Sequence, residues 1–259
     1  MSANEKISVV INTYNAERHL RAVLDSVKGF DEVVVCDMES TDSTVEIAES
    51  YGCKVVTFPK GNISICEPAR NFAIQSATHE WVLVVDADEV VTEELRTYLY
   101  ERIGRGDCPE GLRVLRRNMF LGRFMHSMSD YQTRFLRKSK VDWPPIIHCR
   151  PVVDGVVERI PKRVKGACFL HLDDAPLTSR LNKQNVYSDY EVPKRIHKQY
   201  SILALLYRPV WFFVKHYFVE GGWRDGKRGV ISALMASVYQ ITLLAKLKER
   251  QWAEKASES

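Results

Sequence analysis

Four apolar, β-branched runs, each followed by a stretch with helical periodicity, constrain this chain more than any other feature. ISVVI (7–11), DEVVVCD (31–37), Lys54–Phe58 and Glu80–Val85 read as buried strands. After the first comes a helical pattern through Leu20, Val23, Leu24 and Val27, ended by Gly29. After the second, STDSTVEIAES opens a helix in which Ser43 and Glu46 have capping-box spacing. A third helix is predicted over Glu67–Ala77. A fourth opens at Thr92, with Glu93 and Glu94 in its first turn, where the helix dipole favours acid. Alternation of this kind over about 100 residues predicts an α/β fold with parallel strands and helices on both faces.

In such sheets ligands bind beyond the carboxyl ends of the strands. Asn12–Asn15, Asp37 and the acids of VLVVDADE (82–89) all fall there. No G-x-G-x-x-G follows the first strand and no G-x-x-x-x-G-K-[ST] occurs, which disfavours dinucleotide dehydrogenases and P-loop enzymes. Carboxylates repel phosphates unless a divalent cation stands between them. Mg²⁺ and Mn²⁺ take one or two carboxylates together with substrate phosphates. Asp86 and Asp88 are two apart, on one side of an extended segment, and suit that task. The alternative is that Asp88 and Glu89 cap the helix at Thr92.

Charge is unevenly placed. Residues 1–100 hold 8 Lys/Arg and 17 Asp/Glu, and residues 179–250 hold 13 and 5, so an acidic part precedes a basic one. The six cysteines form no C-x-x-C pair and read as reduced residues of an intracellular protein rather than a zinc site. MSANEKISVV shows no signal-peptide pattern, and a cytoplasmic location is expected.

The ordered segments SVVINTYNAERHL, Asp37 with STDST, Arg70-Asn71 and VVDADE resemble the nucleotide-sugar-binding half of the inverting glycosyltransferases of family 2, which have the GT-A fold. The likeness covers roughly residues 5–190. It is nearer to lipopolysaccharide core glycosyltransferases of the β-1,4-glucosyltransferase type, through Arg116-Arg117-Asn118, Gly122–His126, DYQTRFL (130–136) and FLHL (169–172). The resemblance implies a GT-A domain over residues 1–195 and a helical extension over 196–259. Thr13, Tyr14 and Glu17 would line the nucleotide of a UDP-sugar. Asp37 would accept from the uracil N–H, the alternative being a cap with Ser40 and Thr41. Arg70 would lie near the base or diphosphate, or else pair with Glu67. Asp86 would contact ribose or metal, and Asp88 would ligate the metal, Mg²⁺ or Mn²⁺. His171, at the end of ACFLHL, would reach the diphosphate or metal, and Lys183, of the K-x-x-x-Y segment with Tyr187, would face the diphosphate. For both, a structural or solvent-facing role is the alternative.

An inverting transfer needs a base to take the acceptor hydroxyl's proton. Family members usually carry His-Glu after the D-Y-Q-x-R strand, whereas this chain reads PPIIHCRPVV, with Cys149 in place of the Glu. Three candidates follow: Asp130 first, then Glu158 and His148. Loops around residues 104–130 would shape the sugar pocket, and the face near His126 and Trp143 the acceptor's.

The last third differs in kind. SILALLYRPVWFFVKHYFV (201–219) is apolar and aromatic, and GVISALMASVYQITLLA (229–245) has 17 residues without a charge. The second carries Ser232, Ser237, Gln240 and Thr242, and Arg224, Lys227, Arg228, Lys246, Lys248 and Arg250 flank it. Aromatic and basic helices of this kind suit an anionic membrane surface, here the inner face of the cell membrane, better than a span. Internal packing or a homodimer contact is the alternative. Nucleic acid is disfavoured, because it would leave the long apolar runs exposed. The function expected is transfer of a sugar from a UDP-sugar to a glycan or lipid-linked saccharide. A nucleotide-sugar-binding partner without activity, or a sugar nucleotidyltransferase, is the alternative. Against the latter, INTYNAE lacks a glycine-rich loop.

Overall fold

A computed structural model describes residues 6–61, 66–146 and 149–257. They divide into two compact units, one of residues 1–117 and 130–172, the other of residues 118–129 and 173 onward.

The first unit begins with the expected alternation: β1 (Ile7–Thr13), α1 (Glu17–Val27), β2 (Glu32–Asp37), α2 (Thr44–Ser50), β3 (Lys54–Thr57), α3 (Glu67–Ser76) and β4 (Trp81–Asp86). After a tight turn follow β5 (Glu89–Val91) and α4 (Glu93–Gly104). Strand β1 lies between β2 and β4, parallel to both, and β3 continues the parallel half beyond β2. Successive side chains leave opposite faces of a strand. Ile7, Val9 and Ile11 accordingly join Leu20, Val23, Leu95 and Leu99 in one buried cluster, while Val10, with Val34 and Val84, joins Ala69, Ala73 and Ile74 of α3 in another. Helices α1, α2 and α4 thus cover one face and α3 the other, each fully buried aliphatic side chain contributing about 1.5–3 kcal/mol.

The sheet is not parallel throughout. Beyond β4 come β7 (Arg123–Arg137), β6 (Gly111–Phe120), β11 (Cys168–His171) and β5, and β10 (Val157–Arg159) pairs with β6. Strands β7 on β4 and β11 on β5 run antiparallel, giving a mixed sheet. Short strands β8 (Val141–Asp142) and β9 (Val152–Val153) pair separately.

One local expectation needs correction. Ser43 precedes α2, but its side chain makes no cap bond; the Asp42 carboxylate accepts from the Thr44 N–H at 3.0 Å instead. Helix α1 ends just before Gly29, as expected; a Cβ there would fall 1.7 Å from Arg96 Nη1, which donates to the Gly29 carbonyl at 3.1 Å.

In the second unit, α5 (Leu177–Arg195), α6 (Ile202–Val214) and α7 (Lys227–Ser257) form a helical layer. Residue 195, where the domain boundary was expected, is the last residue of α5, whereas the two units divide between residues 172 and 173; α5 packs on α7 through Val192, Leu243 and Leu247. The buried stripe of α7 includes Ala233, Gln240, Leu244, Leu247 and Gln251. Gln251 donates to the carbonyls of Ile196 and Lys198 at 2.8 and 3.1 Å, as a buried amide requires. Helix α6 is inverted by comparison. Ile202, Leu203, Leu206, Tyr207, Val210 and Trp211 are all exposed, Leu206 by 68%.

Candidate active site

The loops after β1 and β2 are knitted to one another. Thr13 Oγ1 donates to Asp37 at 2.8 Å, and Ser40 donates to the same carboxylate through both its N–H and its hydroxyl. Asp37 is buried, and these three bonds leave one of its roughly four lone-pair sites for a ligand. Asn15, with a left-handed φ of 48°, accepts from the Thr41 N–H at 2.8 Å. Glu17 accepts from the Ser43 N–H at 3.1 Å. Tyr14 remains exposed with Lys60 4.5 Å from its ring centroid. Thr13, Tyr14, Glu17 and Asp37 therefore lie along one rim, with Asp37 bound to Ser40 as the capping alternative required. Asn12 lies between Cys36 and Asp86 in the ladders, and neither of its buried amide atoms meets a hydrogen-bond partner among the described residues.

Ala87 and Asp88 form a turn between β4 and β5 rather than an extended stretch, and the side chains of Asp86 and Asp88 take different partners. Arg134 grips both oxygens of Asp86, Nη1 at 3.1 Å from Oδ1 and Nη2 closer still to Oδ2, while Arg70 Nη2 donates to Oδ1 at 2.8 Å. Burial alone would raise the pKa of Asp86. The charges of Arg134 and Arg70 overturn that and hold the carboxyl far below the ordinary carboxylate range. Glu89 lies fully buried beneath, where burial and then the Asp86 charge push its pKa up. Arg70 also lies over Trp143, 4.6 Å from its centroid, and Asn71 fixes Trp143 by bonds to its N–H and carbonyl at 2.7 and 3.0 Å. Arg70 thus serves Asp86 rather than Glu67, and the metal role expected of Asp86 competes with two arginines.

Asp88 takes another partner. Its Oδ2 lies 3.1 Å from His171 Nε2, held there because His171 stands opposite Glu89 in the β11–β5 ladder and the Leu172 N–H donates to the Asp88 carbonyl at 2.8 Å. Burial opposes protonation of His171, but the Asp88 hydrogen bond and charge outweigh it and raise the imidazole pKa. No group of three or more metal-ligating side chains occurs among the described residues. The pair nevertheless fits a divalent cation. Two donors about 2.1 Å from one octahedral ion sit about 3 Å apart in cis positions, and substrate phosphates usually complete such a shell.

Beside Asp86 opens a cavity of about 410 Å³. Its charged lining is five arginines (Arg70, Arg113, Arg116, Arg134, Arg150) against Glu67, Asp86 and Asp130. Strand alternation places Asp130, Gln132 and Arg134 on one face of β7, where they form a chain: Arg134 Nε donates to Gln132 at 2.9 Å, and Gln132 donates to Asp130 at 2.8 Å. Arg116 closes it by donating to Asp130 at 3.1 Å and to Glu89 at 3.4 Å. Cys149 lines the same cavity, so the residue standing where Glu is expected faces the same space as Asp130.

The structure does not bring every candidate here. Glu158 is ion-paired to Arg102 of α4 at 3.1 Å and is absent from the cavity lining. His148 lies outside the described residues. Lys183 belongs to the second unit, with its ammonium 5.7 Å from the Tyr187 ring centroid. The sequence reading assigned no role to Arg134, Asn71 or Arg116. The D-x-Q-x-R spacing on a strand, which puts three polar groups on one face, was the available signal.

A family model described as "Glycosyl transferase family 2" matches residues 8–151, more than half of the chain. The chain belongs to glycosyltransferase family 2. The family-2 chain is 26% identical over 253 residues to "Lipopolysaccharide core biosynthesis glycosyltransferase LpsC" of Rhizobium meliloti, covering 94% of this chain and 92% of that one. It is 28% identical over 264 residues to an uncharacterized glycosyltransferase of Rickettsia conorii, covering 96% and 92%. Among solved structures, S. aureus TarS 1-349 in complex with UDP superposes with a TM-score of 0.50 at 16% identity, covering 94% of this chain and 90% of that one. That likeness shows the fold. This glycosyltransferase is a mixed α/β protein of GT-A type with C-terminal helices, as expected.

Proposed function

We propose that this glycosyltransferase moves a sugar, with inversion, from a UDP-sugar to a lipid-linked saccharide in lipopolysaccharide core synthesis. The observation that carries the chemistry is Asp130, a carboxylate facing a cavity at the strand ends, hydrogen-bonded to Gln132 and Arg116 but open to solvent on its remaining side. The acceptor hydroxyl oxygen attacks the anomeric carbon while the bond from that carbon to the diphosphate breaks. The hydroxyl proton passes to Asp130, the bonding pair leaves with UDP, and attack from the opposite face inverts the anomeric centre. Thr13, Tyr14, Glu17 and Asp37 form the nucleotide rim. Asp88 and His171 would hold Mg²⁺ or Mn²⁺, which when bound neutralises charge developing on the leaving diphosphate. Asp86 holds Arg70 and Arg134 in place rather than meeting the ion.

The similarity to LpsC supports the core-saccharide acceptor, and the second unit supports a membrane-bound one. Helix α6 turns an apolar and aromatic face outward, and the helical stretches Ile202–Val219 and Lys227–Ala256 are long and apolar enough to cross a membrane. The serine, glutamine and threonine residues of 229–245 and the basic residues flanking it favour lying on the inner face of the cell membrane over spanning it. Leu205 of α6 and Ile241, Leu244 and Trp252 of α7 line an apolar cavity of about 500 Å³ suited to an acyl chain.

The test is Mn²⁺-dependent release of UDP from a panel of UDP-sugars in the presence of core saccharide. Asp130→Asn should lower kcat by about 10²–10⁴ with UDP affinity retained. Turnover unchanged in that variant would remove Asp130 as the base. Absence of UDP release from every sugar would leave a binding protein, with Cys149 in the place of the expected acid.

A further inference from the structure

The cavity holds more positive charge than its own acids offset. Asp86 is shared by Arg70 and Arg134, and Arg116 lies between Asp130 and Glu89. Arg113 and Arg150 remain, and neither makes an ion pair with any described residue. Arg113 stands directly across the β6–β10 ladder from Arg159, whose guanidinium is spent on the Tyr131 ring, 4.4 Å from its centroid. Like charges opposed across a ladder destabilise a sheet, and no ion pair among the described residues relieves this one. A planar guanidinium matches carboxylate and phosphate oxygens through two parallel hydrogen bonds.

Asp88 and His171, the pair proposed to hold the ion, are not among the residues lining the cavity, whereas Asp130, the proposed base, is. The groups left unpaired therefore share their space with the residue that meets the acceptor.

Resting on the glycosyltransferase reading above, we propose that the acceptor is an anionic saccharide. Its carboxylate or phosphate is held by Arg113 and Arg150 while its attacking hydroxyl meets Asp130. A neutral saccharide of the same size leaves both guanidinium groups without a counter-charge and binds more weakly.

The experiment loads the full chain with UDP and Mn²⁺ and titrates three small probes: glucose, glucuronate and glucose 6-phosphate. The expected result is at least about tenfold tighter binding of one or both anionic sugars than of glucose. The tighter of the two then identifies the carboxylate or the phosphate as the recognised group. The double variant Arg113→Gln, Arg150→Gln should erase that preference and leave UDP affinity within about twofold. Equal binding of all three probes overturns the proposal, as does a preference that survives in the variant. Loss of UDP affinity in the variant also overturns it, by assigning the arginines to the donor. If the unmodified chain binds no UDP, the glycosyltransferase reading itself fails and takes the proposal with it, a result distinct from the others. Thermal melting of the variant checks that it folds. Neither arginine has an ion-pair partner to lose among the described residues, so its melting point should stay near that of the unmodified chain.

Discussion

His171 Nε2 and Asp88 Oδ2 face one another at 3.1 Å, although 83 residues separate them in the chain. A short strand, β5, makes the meeting possible by pairing with the strand that ends at His171. If the two groups share a divalent ion, alanine at either position should abolish most of the Mn²⁺-dependent gain in UDP affinity, a loss of about tenfold or more. Chelation with EDTA should have the same effect on the unmodified chain and little on either variant. Calorimetric titration of UDP with and without Mn²⁺ makes the comparison, and undiminished Mn²⁺ dependence in both variants would exclude the pair.

Asp86→Asn should act on stability before activity. The side chains of Arg70 and Arg134 are 7% and 5% exposed, and the substitution removes the carboxylate they share, leaving Arg134 only Glu89 at 3.9 Å. Removing one member of a buried ionic group costs about 3–5 kcal/mol. Urea unfolding should show that loss, whereas Asp88→Asn, on a more exposed side chain, should change stability by less than about 1 kcal/mol.

Asp225 sets an acid limit for the second unit. It is 2% exposed and accepts from the N–H groups of His126 and Ser127 and from the Ser127 hydroxyl, at 2.7–2.9 Å. Burial alone would raise its pKa, but these donors prevail and lower it below the ordinary 3.8. A depressed folded-state pKa gives stability that is present above the unfolded value and lost as pH falls through the folded one. Asp225→Asn should therefore cost about 1–3 kcal/mol at pH 7. The gap to the unmodified chain should close below about pH 4, as unfolding curves at pH 7, 5 and 3 would show.

The outward face of α6 predicts lipid binding. Replacing Leu203, Leu206 and Val210 by serine should leave the fold intact, since all three are exposed. The same change should release the protein from vesicles containing anionic lipid, by flotation. Zwitterionic vesicles should bind the unmodified chain more weakly, each nearby Lys or Arg contributing about 1 kcal/mol on an anionic surface. Equal flotation of variant and parent would show that this face does not touch lipid.

The parallel half of the sheet was legible because each of its strands is a continuous apolar run with its own helix beside it, a local signal. The antiparallel half was not. Strands β6 and β7 carry arginines and other polar groups at site-facing positions, which blur the alternation, and three-residue β5 hides between the acids and Thr92. The rim residues Thr13 and Asp37 and the acids Asp86 and Asp88 could be named from their places at strand ends. Their partners could not, because Arg134 and His171 reach them only through pairings between distant strands. The ion pair of Glu158 was hidden for a similar reason, since its partner Arg102 lies 56 residues away.

The sharing of Asp86 also bears on the order of assembly. Arg70 is 16 residues from it and arrives with the neighbouring helix, but Arg134 is 48 residues away and arrives only when β7 docks. The bidentate clamp therefore closes across the seam where strand direction reverses, and it ties the sequence-local βα units to a strand that joins them only through a long-range contact, the kind whose loop-closure entropy slows folding.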